Sequence, residues 1–219
     1  MAFFLLFDTS TKDCTVALAQ DTQIISERIV ENTKSHAKLL PLLFQEVLDE
    51  AKLSIQNVDA IVISEGPGSY TGLRIGFATA KALAYTLNKP IVFVDTLEAM
   101  AKYMTKIIKE EDAVYMSTMP SRKGEIYYAI ANADGEIIEK SAPIFMDDLS
   151  LKFNNFKKIY YSNNDLGKKI IGNKNFFYRF VSLKSKATLL LDIDVLQKGK
   201  LGDRDYIYKN PKYLKPFMG

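Results

Sequence analysis

Two short segments hold the residue types with which phosphate chemistry is done. Asp8-Thr9-Ser10-Thr11 follows the apolar run Phe3–Phe7 and precedes a second β-patterned stretch, Cys14–Ala19. A strand, a tight polar turn and a returning strand aim hydroxyls and backbone N–H groups at a phosphate, while a strand-end carboxylate orients a metal ion. The same residues also make an ordinary hydrophilic hairpin turn, and both readings stand at this level. The second segment is Gly66-Pro67-Gly68-Ser69-Tyr70-Thr71-Gly72-Leu73-Arg74-Ile75-Gly76, between an apolar strand and a helix. Its glycines allow close backbone approach to a ligand or a neighbouring helix, with helix N-terminal N–H groups exposed. No Gly-Lys-Ser/Thr closes it, so it is not a Walker A loop. Thr71 stands where the third glycine of a dinucleotide fingerprint belongs. A close-packed turn, with Gly76 letting the helix lie against the sheet, is the competing reading.

His36 is the only histidine and Cys14 the only cysteine. No disulfide or thiolate cluster forms within one chain. Zinc sites draw on several His or Cys ligands, and no Gly-x-Ser-x-Gly elbow accompanies the histidine. His36 therefore reads as a helix cap or a packed polar residue, and neither catalytic nor metal-binding residues are assigned. The stretch Tyr206–Lys215 interleaves aromatics with lysines, a pattern able to stack on bases and neutralise phosphates. It reads better as a tail whose aromatics pack on the body and whose lysines stay solvated. A net charge of +3 permits an anionic partner without demanding one. The apolar start lacks a basic flank and is cut short by Asp8, unlike a signal peptide. No segment reaches the ~18–20 apolar residues of a membrane helix, and the expected location is cytoplasmic.

The elements that position these residues follow from periodicity. Residues 3–7, 14–19 and 24–30 read as an antiparallel meander. From Thr33 to Lys52 the apolar spacing turns helical, with Leu40, Leu43, Phe44, Val47, Leu48 and Ala51 on one face and Pro41 expected to bend or restart the helix. Strands at 60–63 and 91–94 bracket a helix over 73–87, and a third helix runs from Thr96, a candidate N-cap, to about Lys109. This order predicts a mixed sheet, antiparallel at one side and parallel at the other, flanked by helices. Further on, 114–117 and 158–161 read as strands, 125–131 and 136–139 as a hairpin about Asn132–Gly135, and Ser185 to about Lys198 as a helix. A boundary near 103–112 divides the chain into 1–103 and 104–219.

With these residues in view, the chain resembles the TsaB family, also called glycoprotease-like or YeaZ-like. The match lies in Phe7–Thr11 followed by Val16-Ala17-Leu18, in Ser35-His36-Ala37-Lys38-Leu39-Leu40-Pro41, and above all in Gly66–Gly76 extended by Ala80–Ala84. It is close over residues 3–100. Beyond, it rests on Arg122–Tyr127 and Pro211–Leu214, with Pro120 where the family usually has an acidic residue.

The resemblance implies an α/β fold of the actin/Hsp70/sugar-kinase (ASKHA) type, with two related halves, the second reduced. It implies a non-catalytic scaffold in tRNA threonylcarbamoyladenosine modification, partnered with the TsaD transferase subunit and the TsaE ATPase. In isolation a homodimer is implied, tRNA is met through the complex, and ATP or ADP enters only within that complex. Laid on the TsaD paralogue, Thr96 and Met100 fall where that protein has its two metal-binding histidines. Met100 is no ligand for a hard metal ion. The partner face is expected on the helices 35–51 and 73–87, at His36, Leu39, Leu42, Leu43, Phe77, Ala80, Lys81 and Ala84. Three other functions compete: a small-molecule kinase or ATPase of the same superfold, a metalloprotease as the older family label suggests, which the single histidine argues against, and a tRNA-binding module using the basic-aromatic tail.

Overall fold

The computed structural model describes residues 1–149, 156, 158–162, 177–180, 187–191 and 208–214. Among them the chain forms β1 (Phe3–Asp8), β2 (Cys14–Gln20), β3 (Gln23–Val30), α1 (His36–Glu50), β4 (Ala60–Gly66), α2 (Tyr70–Leu87), β5 (Ile91–Asp95), α3 (Thr96–Ile108), β6 (Val114–Pro120), β7 (Glu125–Ala131), β8 (Ile137–Phe145), β9 (Lys158–Tyr161) and β10 (Phe177–Phe180). Short 3-10 turns occupy Ile55–Asn57 and Ala187–Leu190.

The strands form two sheets, ordered β3-β2-β1-β4-β5 and β10-β9-β6-β7-β8. In the first, β1 pairs antiparallel with β2 and parallel with β4, and β4 pairs parallel with β5. In the second, β6 pairs antiparallel with β7 and parallel with β9, and β9 parallel with β10. Each sheet is thus a three-stranded meander extended by two parallel strands, the mixed pattern that short hairpins followed by longer crossovers produce.

The chain divides into two compact units, residues 1–96 with the described residues of 185–212, and residues 97–184 with those beyond 212. This differs from the expected 1–103 and 104–219. The break falls at the start of α3, whose Ala101 and Met104 pack with Tyr115, Ala131 and Tyr160 of the second sheet.

In the first unit, Leu5, Phe7, Val16, Leu18, Ile61 and Ile63 face α1 and α2, which contribute Leu40, Leu43, Phe44, Val47, Phe77, Ala80 and Ala84. The alternation along each strand sends Leu6, Ala17 and Val62 to the other face, where they are fully buried. There the Ala187–Leu190 turn lies against β1, β2 and β4, and the Ala187 N–H donates to Thr15 Oγ1 at 2.8 Å. In the second unit a separate core gathers Val114, Met116, Ile126, Tyr128, Ile130, Ile159 and Tyr161.

Four details differ from the sequence reading. Pro41 lies within a single helix, α1, and does not restart it. Helix α2 begins at Tyr70, three residues earlier than the periodicity placed it, because Ser69 caps it. Thr96 is the first residue of α3 rather than its cap. Of the helix expected over 185–198, only 187–191 lies within the described residues, as the 3-10 turn and one following residue. No described helix is long and apolar enough to cross a membrane.

Candidate functional site

The two glycine- and hydroxyl-bearing segments meet at the carboxyl ends of β1 and β4. Strand β1 delivers Asp8 at its end, and Asp8 Oδ1 accepts the Ser10 N–H at 2.7 Å, closing the turn locally. Thr9 Oγ1 donates to the Gly72 carbonyl at 2.8 Å, and the Ser10 carbonyl accepts the Ser69 N–H at 2.6 Å. Ser69 Oγ in turn accepts the Gly72 N–H at 3.2 Å, capping α2. Asp8, Thr9 and Ser10 are buried, and Thr11 is partly so.

The glycines make this contact possible. A Cβ on Gly72 would lie 1.9 Å from the Thr9 carbonyl oxygen, one on Gly68 2.5 Å from that of Ser10, and one on Gly76 2.5 Å from Thr9 Oγ1. The segment packs closely, sealing the β1–β2 turn with backbone. Of the remaining signature residues, Tyr70 and Arg74 form a cation–π pair 4.1 Å apart, Thr71 is exposed, and Pro67 follows a cis peptide bond.

His36 braces the same turn. It is buried, and its Nε2 donates to the Asp13 carbonyl at 3.3 Å. Cys14, at the start of β2, has its thiol pushed up to about 12 by burial and then by the nearby Asp8 charge. Such a thiol stays protonated and inert at neutral pH. At the end of β4, Ser64 Oγ and Thr96 Oγ1 lie 2.5 Å apart, and Met100 is buried. Among the described residues no three His, Cys, Asp or Glu side chains converge as a metal site would require.

The expected partner face needs correction. Leu43, Phe77, Ala80 and Ala84 belong to the first unit's core, and Phe77 packs on Phe93 at 5.1 Å between ring centroids. Two helices crossing one sheet bury a wider stripe than a single heptad seam, so residues that looked surplus to the core are part of it. Leu39 and Lys81 are half-buried. Leu42, at 60% exposure, is the apolar expected residue that remains outside, and Tyr85 of α2, not foreseen, is 79% exposed.

The tail also reverses its expectation. Tyr208 is exposed, whereas Lys209 Nζ reaches Glu65 Oε2 at 2.6 Å and Lys212 Nζ reaches Asp95 Oδ2 at 2.6 Å. Side-chain carboxylates at strand ends, only 17% and 5% exposed, need counter-charges more than tyrosine rings need cover. Glu65 and Asp95 were missed in the sequence. The available signal was an acidic residue closing each of two consecutive apolar strands.

The family model described as TsaD, tRNA N6-adenosine threonylcarbamoyltransferase, matches residues 23–197. The tRNA threonylcarbamoyladenosine biosynthesis protein TsaB of Bacillus subtilis is 30% identical over 139 residues, 64% of this chain and 59% of that protein. The protein of the same name from Buchnera aphidicola subsp. Schizaphis graminum is 27% identical over 218 residues, 98% of this chain and 91% of that one. The aligned chain spans between half and three-fifths of the first curated relatives it matches. Among solved structures, a Pseudomonas aeruginosa protein with similarity to peptidase YEAZ superposes with a TM-score of 0.82 at 23% identity, covering 98% of this chain and 100% of that one. A polyphosphate/ATP-glucomannokinase from Arthrobacter superposes with a TM-score of 0.56 at 8% identity, covering 90% of this chain and 100% of that one. These likenesses place the fold in the actin-like, sugar-kinase (ASKHA) class.

Proposed function

This chain belongs to the family described as TsaD, tRNA N6-adenosine threonylcarbamoyltransferase, within which it groups with the TsaB/YeaZ proteins, and from that premise we propose that it serves tRNA threonylcarbamoyladenosine biosynthesis as a non-catalytic partner of the transferase subunit. The observation that carries this reading is the sealed β1–β2 turn. Where a kinase of this fold would present a strand-end carboxylate and hydroxyls to phosphate, Asp8, Thr9 and Ser10 are buried and bonded within the protein. The Thr96 hydroxyl, at one of the paralogue's two histidine positions, is paired with Ser64. A chain that keeps the family fold with its reactive positions turned inward is suited to holding a catalytic relative in place.

The partner is a TsaD subunit, with TsaE as the ATPase of the assembly, tRNA met through the complex, and a homodimer when TsaD is missing. The surface offered is the solvent side of α1 and α2, where Leu42 and Tyr85 stand out. Nucleotide belongs to the assembly rather than to this chain.

Size-exclusion chromatography with light scattering, of the chain alone and mixed with the same organism's TsaD, tests this together with a tRNA-modification assay of each fraction. A heterodimer active only with TsaE and both chains is expected, and Leu42→Glu should weaken it about tenfold or more while leaving the monomer folded. ATP turnover by this chain alone, without any complex, would replace the reading with that of a small-molecule kinase.

A further inference from the structure

Residues 208–212 cross the carboxyl ends of β4 and β5, the place where open α/β sheets bind ligands. The Lys212 N–H donates to the Glu65 carbonyl at 2.7 Å. Lys212 Nζ meets Asp95, and Lys209 Nζ meets Glu65 while lying 4.4 Å from the Phe93 ring centroid. A Cβ on Gly66 would come within 2.9 Å of the Lys212 carbonyl oxygen, so the end of β4 is shaped to admit a passing backbone. Little apolar surface of the segment itself is covered: Tyr208, Lys209 and Asn210 are exposed, and Pro211 and Lys212 are half-buried. Pro211 has no N–H to give, and among the described contacts one backbone bond joins the segment to β4.

We propose that residues 208–212 are a detachable strap, latched by charge over the strand-end crevice, and that the crevice is a docking groove for a lysine-bearing extended peptide of which the strap is the resident copy. Two lysines three positions apart meet carboxylates on neighbouring parallel strands, Glu65 and Asp95. With the strap in place the carboxylates are largely covered, while the Lys209 and Lys212 side chains stay 43% and 31% exposed, so dissolved salt reaches the ammonium end of each pair. A charge latch weakens as salt screens it, whereas an apolar seal does not.

Hydrogen exchange on the full chain tests the latch. Raising NaCl from about 0.05 to about 0.5 M, which shortens the screening length more than twofold, should speed exchange of the Lys212 amide, held by the Glu65 carbonyl, about tenfold, with β1 and β2 unchanged. The double variant Lys209→Ala/Lys212→Ala should show the fast exchange already at low salt. A fluorescein-labelled peptide of sequence Tyr-Lys-Asn-Pro-Lys-Tyr should bind that variant at least tenfold more tightly than the unmodified chain. The same peptide with both lysines replaced by glutamate should not bind. Salt-insensitive strap exchange overturns the latch and rests on the unmodified chain alone, so it decides even if the variant fails to fold. Protection lost in β1 and β2 together with the strap shows an integral part of the core and equally overturns it. Failure of the lysine peptide to bind the variant overturns the docking groove.

Discussion

The turn between β1 and β2 and the turn between β6 and β7 occupy the same place in two sheets of the same strand order, yet they are built for opposite surroundings. The first carries a carboxylate and hydroxyls and lies beneath the glycine segment, its polar groups bonded inward. The second, Ser121–Gly124, follows a strand end of Ser117, Thr118, Met119 and Pro120 with no carboxylate, and its Arg122, Lys123 and Gly124 are exposed. It is closed by the Ser121 N–H donating to the Glu125 carbonyl at 3.3 Å, the Glu125 N–H to the Arg122 carbonyl at 2.9 Å and the Met146 N–H to the Gly124 carbonyl at 2.9 Å, with Ser121 Oγ donating to Glu125 Oε2 at 3.2 Å. Shared topology has therefore not imposed a shared use. The glycine-bearing junction between β4 and α2 brings backbone down onto the first turn, whereas Arg122, Lys123 and Gly124 of the second stand exposed.

Substitutions at paired positions sharpen this contrast. Gly72→Ala sets a methyl group against the Thr9 carbonyl, backbone on both sides, and should cost about 3 kcal/mol or more in urea denaturation. If instead it is tolerated, the seal is looser than its geometry. Next, Cys14 should resist thiol reagents at pH 8 more than a hundredfold relative to the urea-unfolded chain, a ratio readable from DTNB kinetics. Its folded pKa is raised above the unfolded 9.0 to about 12, so between those values the unfolded state binds fewer protons. The thiol's contribution to stability is accordingly full below pH 9 and declines as pH rises toward 12. Ser69→Ala, which removes the cap on α2, should cost about 1 kcal/mol by thermal melting. At the second turn, Lys123→Ala should shift stability by less than about 0.5 kcal/mol. A loss there as large as that of Gly72→Ala would show that the fold depends on the exposed turn no less than on the buried one.

Much of the first half was legible because its strands are wholly apolar or alternate cleanly, and turns and glycines punctuate them. Leu5, Phe7, Val16 and Leu18 announce a sheet face, and the β-β-β-α-β-α-β-α order follows from residues near in sequence. The glycine segment was visible as a close-approach motif, but what it approaches was not, since Thr9 and Gly72 are joined only by folding. The wide buried faces of α1 and α2 misled for a related reason: periodicity reports that Phe77 and Ala84 are apolar, not whether sheet or partner covers them. The tail lysines escaped because ion pairing between Lys212 and Asp95 spans more than a hundred residues. No local pattern encodes such a pair.

The first unit is discontinuous along the chain. The face of its sheet bearing Leu6, Ala17 and Val62 is covered by Ala187–Leu190, residues that follow the whole of the second sheet's described strands. During translation at ~5–20 residues per second, the ribosome needs roughly 5–20 s after making Thr96 to reach Leu190. Throughout that interval the nascent sheet lacks the cover that Ala187–Leu190 gives to the face of Leu6, Ala17 and Val62. The protein's period of greatest exposure to aggregation and to chaperones is thus set by the order of its own segments, and a circular permutant that begins near residue 185 should shorten it.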